Sequence, residues 1–179
     1  RLTDNTLQLA RLDAPSVRLR CDWESTEELV GAVLRRIRRR PDGSRVRAWV
    51  EPHLPLLWCD AMLVSQLLDN LMDNGLKYSP ADTLVELHAK SDSDYLLLTV
   101  SDRGPGIAAS WQEKVFEVFQ RGETVPSRRH ADVDRGAGVG LAVCRAIARA
   151  HHGLQRRFRE RYHLSGHGEI NHDRANVDD

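Results

Sequence analysis

Two amide side chains and an ammonium group recur on one face of a predicted helix in the middle of the chain. Asn70, Asn74 and Lys77 are spaced four and then three residues apart, with the carboxylate of Asp73 beside them. Helix surfaces normally carry Glu, Lys, Arg or Ala, because Asn lowers helix propensity. An Asn oxygen can bind Mg²⁺ together with phosphate and water, and Lys77 would offset phosphate charge. The alternative is a solvated face with two chance asparagines, and this helix alone favours neither.

A carboxylate stands at the end of a predicted strand and is followed by two glycines. The strand leads directly into Asp102, and Gly104 and Gly106 allow a tight turn in which the backbone can approach a ligand. A carboxylate only accepts hydrogen bonds, so a donor such as the exocyclic amino group of adenine would suit it. An ordinary surface turn has the same composition, and this pattern alone is weak evidence.

A third glycine-rich stretch, 136–140, opens a predicted helix. Glycines at such a place let phosphate oxygens reach the free amides of the first turn, where the helix dipole favours negative charge. The spacing excludes a Rossmann GxGxxG, and no GxxxxGK[ST] P-loop occurs in the sequence. The preceding segment 120–135 is long and charged, which is typical of either a lid or a mobile surface insertion.

Hydrophobic periodicity predicts the elements that must position these residues. A capping box, Ser25-x-x-Glu28, starts one helix, and Asp60 caps the central one. The order of elements predicts a two-layer α/β sandwich with helices on one face of the sheet. The predicted elements are a helix end at 3–12, a helix at 25–40, strands at 45–50 and 54–58, the central helix at 60–78, strands at 83–89 and 95–100, a short helix at 111–119 and a helix at 141–151.

Composition excludes several classes of protein. The chain has 179 residues, 41% of them hydrophobic, and a formal net charge of +0, so nothing indicates a nucleic-acid partner or an anionic membrane. The arginines at 35–40 are typical of a solvated helix end. Cys21, Cys59 and Cys144 are odd in number and far apart, which favours thiols in the cytoplasm. No signal peptide or spanning segment is found, so a membrane anchor would lie outside this sequence.

Four segments follow one another in the order of a known family's motifs. Residues 70–79 resemble the N box, 102–107 the first glycine box, 116–119 the F box and 136–141 the second glycine box. Over 23–153 they resemble the catalytic, ATP-binding domain of sensor histidine kinases, in the GHKL ATPase superfamily. The resemblance implies the Bergerat fold, a sandwich with a mixed β-sheet. The amino-acid sequence of 119–122 and 140–147 is most similar to the KdpD branch, which controls potassium uptake.

The resemblance implies a role for each motif residue in binding ATP and Mg²⁺. Asn74 would supply an oxygen to Mg²⁺, with Asn70 near the metal and its waters. Lys77 would reach phosphate, Tyr78 would border the nucleoside, and Asp102 would bind the adenine amino group. The other implied contacts are Gly104 and Gly106 at the adenine end, Gly136, Gly138, Gly140 and Leu141 around the triphosphate, and Arg121 as a phosphate or lid contact.

The resemblance also implies phosphoryl transfer, which requires the terminal phosphate to be positioned and its charge neutralised. In the family, a histidine on a separate dimerisation domain of the same protein takes the phosphate and passes it to a response regulator. No such His box occurs in this sequence. We therefore expect this chain to bind ATP without phosphorylating itself, as the cytoplasmic part of a membrane-anchored sensor.

The resemblance divides the chain into the end of a dimerisation hairpin at 1–20, a kinase domain at 21–153 and a tail at 154–179. The family continues after 153 with two strands, whereas the tail has little alternation and few aliphatic residues. We expect this tail to be disordered, with a divergent or frame-shifted ending that leaves the sheet incomplete. Its His163, His167 and His172 match no metal motif.

Two alternatives to a sensor kinase stay open. One is a GHKL ATPase of another branch, such as a chaperone, a topoisomerase or an anti-sigma serine kinase. The ending Lys77-Tyr78 of the N box and the F box speak against it. The other is a non-catalytic interaction module that keeps the fold and has lost the nucleotide.

Overall fold

The computed structural model describes residues 2–12, 18–92, 95–117 and 138–151. Four predicted helices and four predicted strands fall close to their expected places, and the short strand β1 is additional. The predicted tail and the 120–135 segment lie outside the described residues. The bounds are α1 Leu2–Leu12, β1 Asp22–Glu24, α2 Thr26–Ile37, β2 Val46–Val50, β3 Leu57–Cys59, α3 Ala61–Tyr78, β4 Val85–Asp92, β5 Tyr95–Ser101 and α4 Gly140–Ala150.

The strands form two sheets. β2, β4 and β5 make a mixed sheet in which β2 runs parallel to β4 and β4 runs antiparallel to β5. β1 and β3 make a separate antiparallel pair. The alternation predicted for β2 is confirmed, because Val46 is buried while Arg47 and Trp49 are exposed. The predicted α/β class with a mixed sheet is therefore confirmed.

The central helix α3 is amphipathic, as its sequence period predicts. Asp60 caps it, because its Oδ1 accepts a hydrogen bond from the Leu63 amide at 3.2 Å. The apolar arc of α3 shares one core with the buried sides of α2, α4 and the larger sheet. The polar face of α3 therefore points away from the core. The buried residues of α3 are Val64, Leu67, Leu68, Leu71, Met72, Gly75 and Leu76.

Helix α2 begins as predicted and ends three residues early. The Ser25 hydroxyl accepts from the Glu28 amide at 3.3 Å, but it donates to the carboxylate of Glu27 rather than to that of Glu28. Hydrogen bonds from its own backbone amide and from Ser25 hold the pKa of Glu27 below its ordinary value. The helix stops at Ile37 because the chain folds back, so that a Cβ on Gly43 would lie 2.1 Å from the Ile37 carbonyl oxygen.

The short helix predicted for 111–119 is not an α-helix over the described part. Two 3-10 turns stand there instead, Ala109–Trp111 and Lys114–Phe116, closed by bonds between residues three apart. A segment this short cannot offset the cost of nucleating an α-helix, and 3-10 turns are common in such connections. Phe119 lies outside the described residues.

A buried histidine joins the C-terminal end of α4 to the N-terminal end of α3. His151 follows α4, and its Nδ1 lies 2.8 Å from the Ile147 carbonyl oxygen. Its Nε2 accepts the Asp60 backbone amide at 3.2 Å, so the proton belongs on Nδ1. The end of α4 is thus fixed to the residue that caps α3.

The first helix and the cysteines belong to the same core. Leu9 and Leu12 of α1 pack against it, and α1 lies beside α4. Burial raises the pKa of the Cys59 and Cys144 thiols to about 12. The Cys144 thiol lies 3.6 Å from the Leu67 carbonyl oxygen and ties α4 to α3.

Among the described helices, none combines the length and the apolar character needed to cross a bilayer.

Replacing Thr26 by valine should stabilise the protein. Thr26 is 1% exposed, and among the described residues its hydroxyl oxygen has no hydrogen-bond partner. Valine keeps the shape and removes an unsatisfied polar group, so the free energy of unfolding should rise by about 1 kcal/mol. Urea denaturation measures the change, with Thr26→Ser, which keeps the hydroxyl and loses the methyl group, as the control. A Thr26→Val variant less stable than wild type would contradict the expectation.

Candidate functional site

The polar face of α3 lies against the start of α4. The Asn70 side-chain amide donates to the Gly140 carbonyl oxygen at 3.5 Å, although the two residues are 70 positions apart. A Cβ on Gly140 would lie 3.9 Å from the Asn70 side-chain carbon, which is an ordinary contact distance. The structure therefore brings together the N-box helix and the second glycine segment, which the sequence predicted separately.

Asp102 lies beside the C-terminal end of α3. The Ser79 hydroxyl donates to Asp102 Oδ1 at 3.2 Å, and the Gly104 amide donates to the same oxygen at 2.6 Å. Within the described ranges, both hydrogen bonds that the carboxylate accepts go to Oδ1. Oδ2 is therefore left to accept from a ligand.

Glycines allow this close approach. A Cβ on Gly104 would lie 2.8 Å from Asp102 Oδ1 and 3.2 Å from the Tyr78 carbonyl oxygen, so no larger residue fits there without a shift. A Cβ on Gly75 would lie 2.8 Å from Val85 and 3.4 Å from the Asp102 Cβ. The end of β5 is consequently packed directly onto α3.

Arg45, just before β2, holds the end of α3 and the loop after it. Its guanidinium donates to four backbone carbonyl oxygens, which is nearly its full capacity of five N–H groups. Nothing in the local sequence indicated this role. The acceptors and distances are Leu76 at 3.1 Å, Ser79 at 3.4 Å, Pro80 at 2.6 Å and Thr83 at 2.9 Å.

Asn74, Lys77 and Tyr78 continue the polar face between these two contacts. Asn74 is half-buried, whereas Lys77 and Tyr78 are exposed. The Lys77 ammonium lies 5.4 Å from the centre of the Tyr78 ring, within the range of a cation–π contact. From Asn70 to Gly75 the helix rises roughly 7.5 Å, so the α4 contact and the Asp102 contact lie within two turns of each other along α3.

In the part of the chain that the structure describes, no N-cap side chain satisfies the amides of the first turn of α4. Val139 precedes the helix and makes no side-chain cap, so the amides of the first turn point out of the helix end. Gly138 has a φ of 69°, a left-handed conformation that favours glycine, and Gly106 in the other glycine turn has a φ of 71°. Leu141 is half-buried against the core. The helix end can therefore accept an anion.

The F-box phenylalanine also meets α4. The Arg145 guanidinium lies over the Phe116 ring, 5.8 Å from its centre. Since Arg145 is one turn into α4, this contact fixes the segment that precedes 120–135 beside the helix that follows it. Arg121 and Gly136, which the resemblance assigns to the site, lie outside the described residues.

Ion pairs hold α3 to α2 and to the turn that follows α2. Arg36 contacts Asp69 at 2.8 Å, and Arg40 pairs with Asp73. Burial raises the pKa of Asp69, and Arg36 opposes that rise only in part. Two arginines of the basic run thus have structural partners, in agreement with the interpretation of that run as a helix end. Asp73 stands next to Asn74 but is paired with Arg40, in the turn after α2.

The polar groups of this site suit a nucleotide with a bound hard cation. An open carboxylate oxygen fits an amino group, uncapped amides fit phosphate oxygens, and the Asn70 and Asn74 oxygens fit Mg²⁺ that also keeps phosphate and water ligands. Among the described residues, no group of three or more His, Cys, Asp or Glu is arranged to hold a metal ion. The residue types present are compatible with ATP that carries Mg²⁺ on its phosphates.

Comparison with known proteins identifies a family. The family described as histidine kinase-, DNA gyrase B- and HSP90-like ATPases matches residues 59–170. The chain is 33% identical over 156 residues to the sensor protein KdpD of Escherichia coli (strain K12), covering 86% of this chain and 16% of that protein. It is 35% identical over 150 residues to the adaptive-response sensory kinase SasA of Synechococcus sp. (strain JA-2-3B'a(2-13)), covering 82% of this chain and 38% of that protein.

A solved structure has a similar fold. Full-length ShkA in complex with AMPPNP superposes with a TM-score of 0.69 at 26% identity, covering 83% of this chain and 30% of that one. The chain thus spans well under half the length of these proteins. The family predicted from the four motifs is confirmed.

Proposed function

Because the chain belongs to the family of histidine kinase-, DNA gyrase B- and HSP90-like ATPases, we propose that it is the ATP-binding catalytic domain of a two-component sensor histidine kinase. The observation that carries this proposal is the placement of Asp102 and Gly140 against one helix. Asp102 meets α3 at Gly75 and Ser79, and Gly140 meets it at Asn70. One carboxylate for a base and one helix start for phosphates then contact the same helix.

The residues of this face have distinct tasks in the proposal. Asp102 Oδ2 accepts the adenine amino group, and the exposed ring of Tyr78 borders the nucleoside. Asn74 gives an oxygen to Mg²⁺, and Asn70 orients the metal's waters while its amide holds Gly140. Lys77 carries positive charge toward the phosphates. The bound Mg²⁺ would supply further neutralisation of the charge that develops during transfer.

Other members of the proposed site come from the glycine turns and the segment between them. Gly104 and Gly106 shape the adenine end, while Gly136, Gly138, Gly140 and Leu141 flank the triphosphate, with Arg121 as a further phosphate contact. The uncapped amides of the first turn of α4 support the phosphate assignment. The kinase branch is supported by the likeness to the sensor kinases KdpD and SasA, and nucleotide binding by the AMPPNP complex of ShkA.

The proposal extends to the protein of which this chain is a part. Residues 21–153 form the kinase domain, 1–20 end the dimerisation hairpin and 154–179 are a divergent tail. The γ-phosphate goes to a histidine on that dimerisation domain and from there to a response regulator, in a cytoplasmic part of a membrane-anchored sensor. The likeness to KdpD supports potassium as the stimulus.

Removing the Asn74 oxygen should abolish the metal dependence of ATP binding. We expect the wild-type chain to bind ATP more tightly with Mg²⁺ than with EDTA. Asn74→Ala should bind Mg·ATP about ten-fold more weakly, about 1.4 kcal/mol, and should bind ATP in EDTA as the wild type does. Calorimetric titration of each protein with ATP, with and without Mg²⁺, measures both quantities.

The matched control is Ser65→Ala, a half-buried polar residue earlier on the same helix. It should leave both affinities unchanged. Failure of the wild-type chain to bind ATP would overturn the proposed function and favour the non-catalytic interaction module. An unchanged metal dependence in Asn74→Ala would overturn the role of Asn74 alone.

Phosphoryl transfer separates the kinase from other ATPases of the family. With ATP labelled at the γ-phosphate, the chain should transfer acid-labile label to a histidine-containing dimerisation hairpin supplied as a second protein. Release of free phosphate without such label would favour another branch.

A further inference from the structure

We infer that Ser79 is a positioning residue that makes the site prefer adenine, because it holds Asp102 with one oxygen directed to the base. The inference rests on the proposed function and names the selectivity of that same site. Ser79 is 8% exposed and follows α3 directly, so its hydroxyl is not a surface group.

The direction of the Ser79 hydroxyl is fixed by two neighbours. The Arg103 backbone amide donates to its oxygen at 3.1 Å, and the hydroxyl lies 3.2 Å from Asp102 Oδ1. A serine hydroxyl has a single proton. The Arg103 amide donates to the hydroxyl oxygen, and the carboxylate oxygen of Asp102 can only accept. The hydroxyl proton is therefore directed to the carboxylate.

Two donors on one oxygen fix the plane of the carboxylate. Ser79 and the Gly104 amide approach Asp102 Oδ1 from different segments of the chain, at 3.2 Å and 2.6 Å. Rotation of the carboxylate would break both bonds. Oδ2 is thereby held as a fixed acceptor, and hydrogen bonds to a charged acceptor are the stronger kind.

A fixed acceptor discriminates between purine bases. Adenine has an amino group at position 6, which can donate to Oδ2. Hypoxanthine has an oxygen there, which would place two acceptors against each other. A site built for a hydrogen bond rejects the analogue that lacks the donor more strongly than an apolar pocket could.

The backbone of Ser79 is held independently of its side chain. Its amide donates to the Gly75 carbonyl oxygen at 3.0 Å, and its carbonyl accepts from Arg45 at 3.4 Å. A side-chain substitution at 79 therefore changes the hydroxyl and leaves the path of the chain in place. The effect of the hydroxyl on nucleotide binding can therefore be measured without a change in the backbone.

The test compares ATP with inosine triphosphate, both with Mg²⁺, in calorimetric titrations of the full chain. Ser79→Ala should bind ATP about ten-fold more weakly, since one hydrogen bond that orients the acceptor is lost. Its affinity for inosine triphosphate should stay close to that of the wild type. The ratio of the two affinities should therefore fall about ten-fold, and Ser79→Thr, which keeps the hydroxyl, should restore it.

Thr83→Ala is the control, because the Thr83 hydroxyl donates to the Pro80 carbonyl oxygen at 2.8 Å in the same loop. It should leave the ratio unchanged. Equal losses for both nucleotides in Ser79→Ala, with a lowered melting temperature, would show a merely structural role and overturn the inference. Wild-type protein that binds neither nucleotide would instead overturn the proposed function, and this inference with it.

Discussion

The Asp102→Asn variant should bind Mg·ATP about 100-fold more weakly than the wild-type chain, a loss of about 2.7 kcal/mol. The substitution removes the charge that strengthens the bond to the adenine amino group. It also replaces one acceptor by a donor. If the new amide faces Ser79 and Gly104, it opposes two N–H or O–H donors, and if it faces the base it opposes the amino group. Neither orientation satisfies both sides.

Calorimetry with ATP measures this loss, and Asp82→Asn is the matched control. Asp82 is exposed in the loop after α3 and is not part of the proposed site. The unfolding midpoint in urea should show that Asp102→Asn remains folded at the temperature of the titration. An affinity within two-fold of the wild type would remove Asp102 from the site.

The Arg45→Ala variant should lose about 3 kcal/mol of unfolding free energy. A single charge-assisted hydrogen bond contributes about 1.5–3 kcal/mol when it is partly buried, and several carbonyl oxygens would lose their donor together. The four acceptors, Leu76, Ser79, Pro80 and Thr83, span the end of α3 and the following loop. Lysine cannot replace the planar fork of donors, so Arg45→Lys should recover only part of the loss.

Urea denaturation of Arg45→Ala and Arg47→Ala separates this role from the general effect of losing an arginine. Arg47 is the next outward residue of the same segment, and its hydrogen bonds within the described residues go to the local carbonyls of Ser44 and Val46. Its replacement should cost less than about 0.5 kcal/mol. A similar loss for both variants would contradict the importance of the Arg45 contacts. ATP affinity should fall in Arg45→Ala, because the Ser79 loop loses its support.

The larger elements follow from the sequence because their patterns are strong. The amphipathic period of α3 runs over five turns, and the alternation of Val46, Arg47 and Trp49 identifies the face of β2. The bounds and types of the short elements cannot be predicted from the sequence in this way. Helix α2 ends where the chain folds back at Gly43, and 3-10 turns replace the predicted helix at 111–119, because tertiary packing decides such ends.

The site shows the same division. Residues 70, 74 and 102 could be selected from the sequence only through the order of the four motifs, because each pattern alone also fits a solvated helix face or an ordinary turn. Their roles in ATP binding stay predictions. The roles of Arg45 and Ser79 are absent from any local pattern, because their bonds join residues 23 to 38 positions apart. A hydroxyl directly after Lys77-Tyr78 was the one available signal for Ser79. For Arg45 the sequence contains none.

The histidine that joins α4 to Asp60 has a mechanical consequence. It ties the end of α4 to the start of α3, while Cys144 ties the middle of α4 to Leu67 and Asn70 contacts its first residue, Gly140. With attachments at its end, its middle and its start, α4 should move together with α3 as one unit.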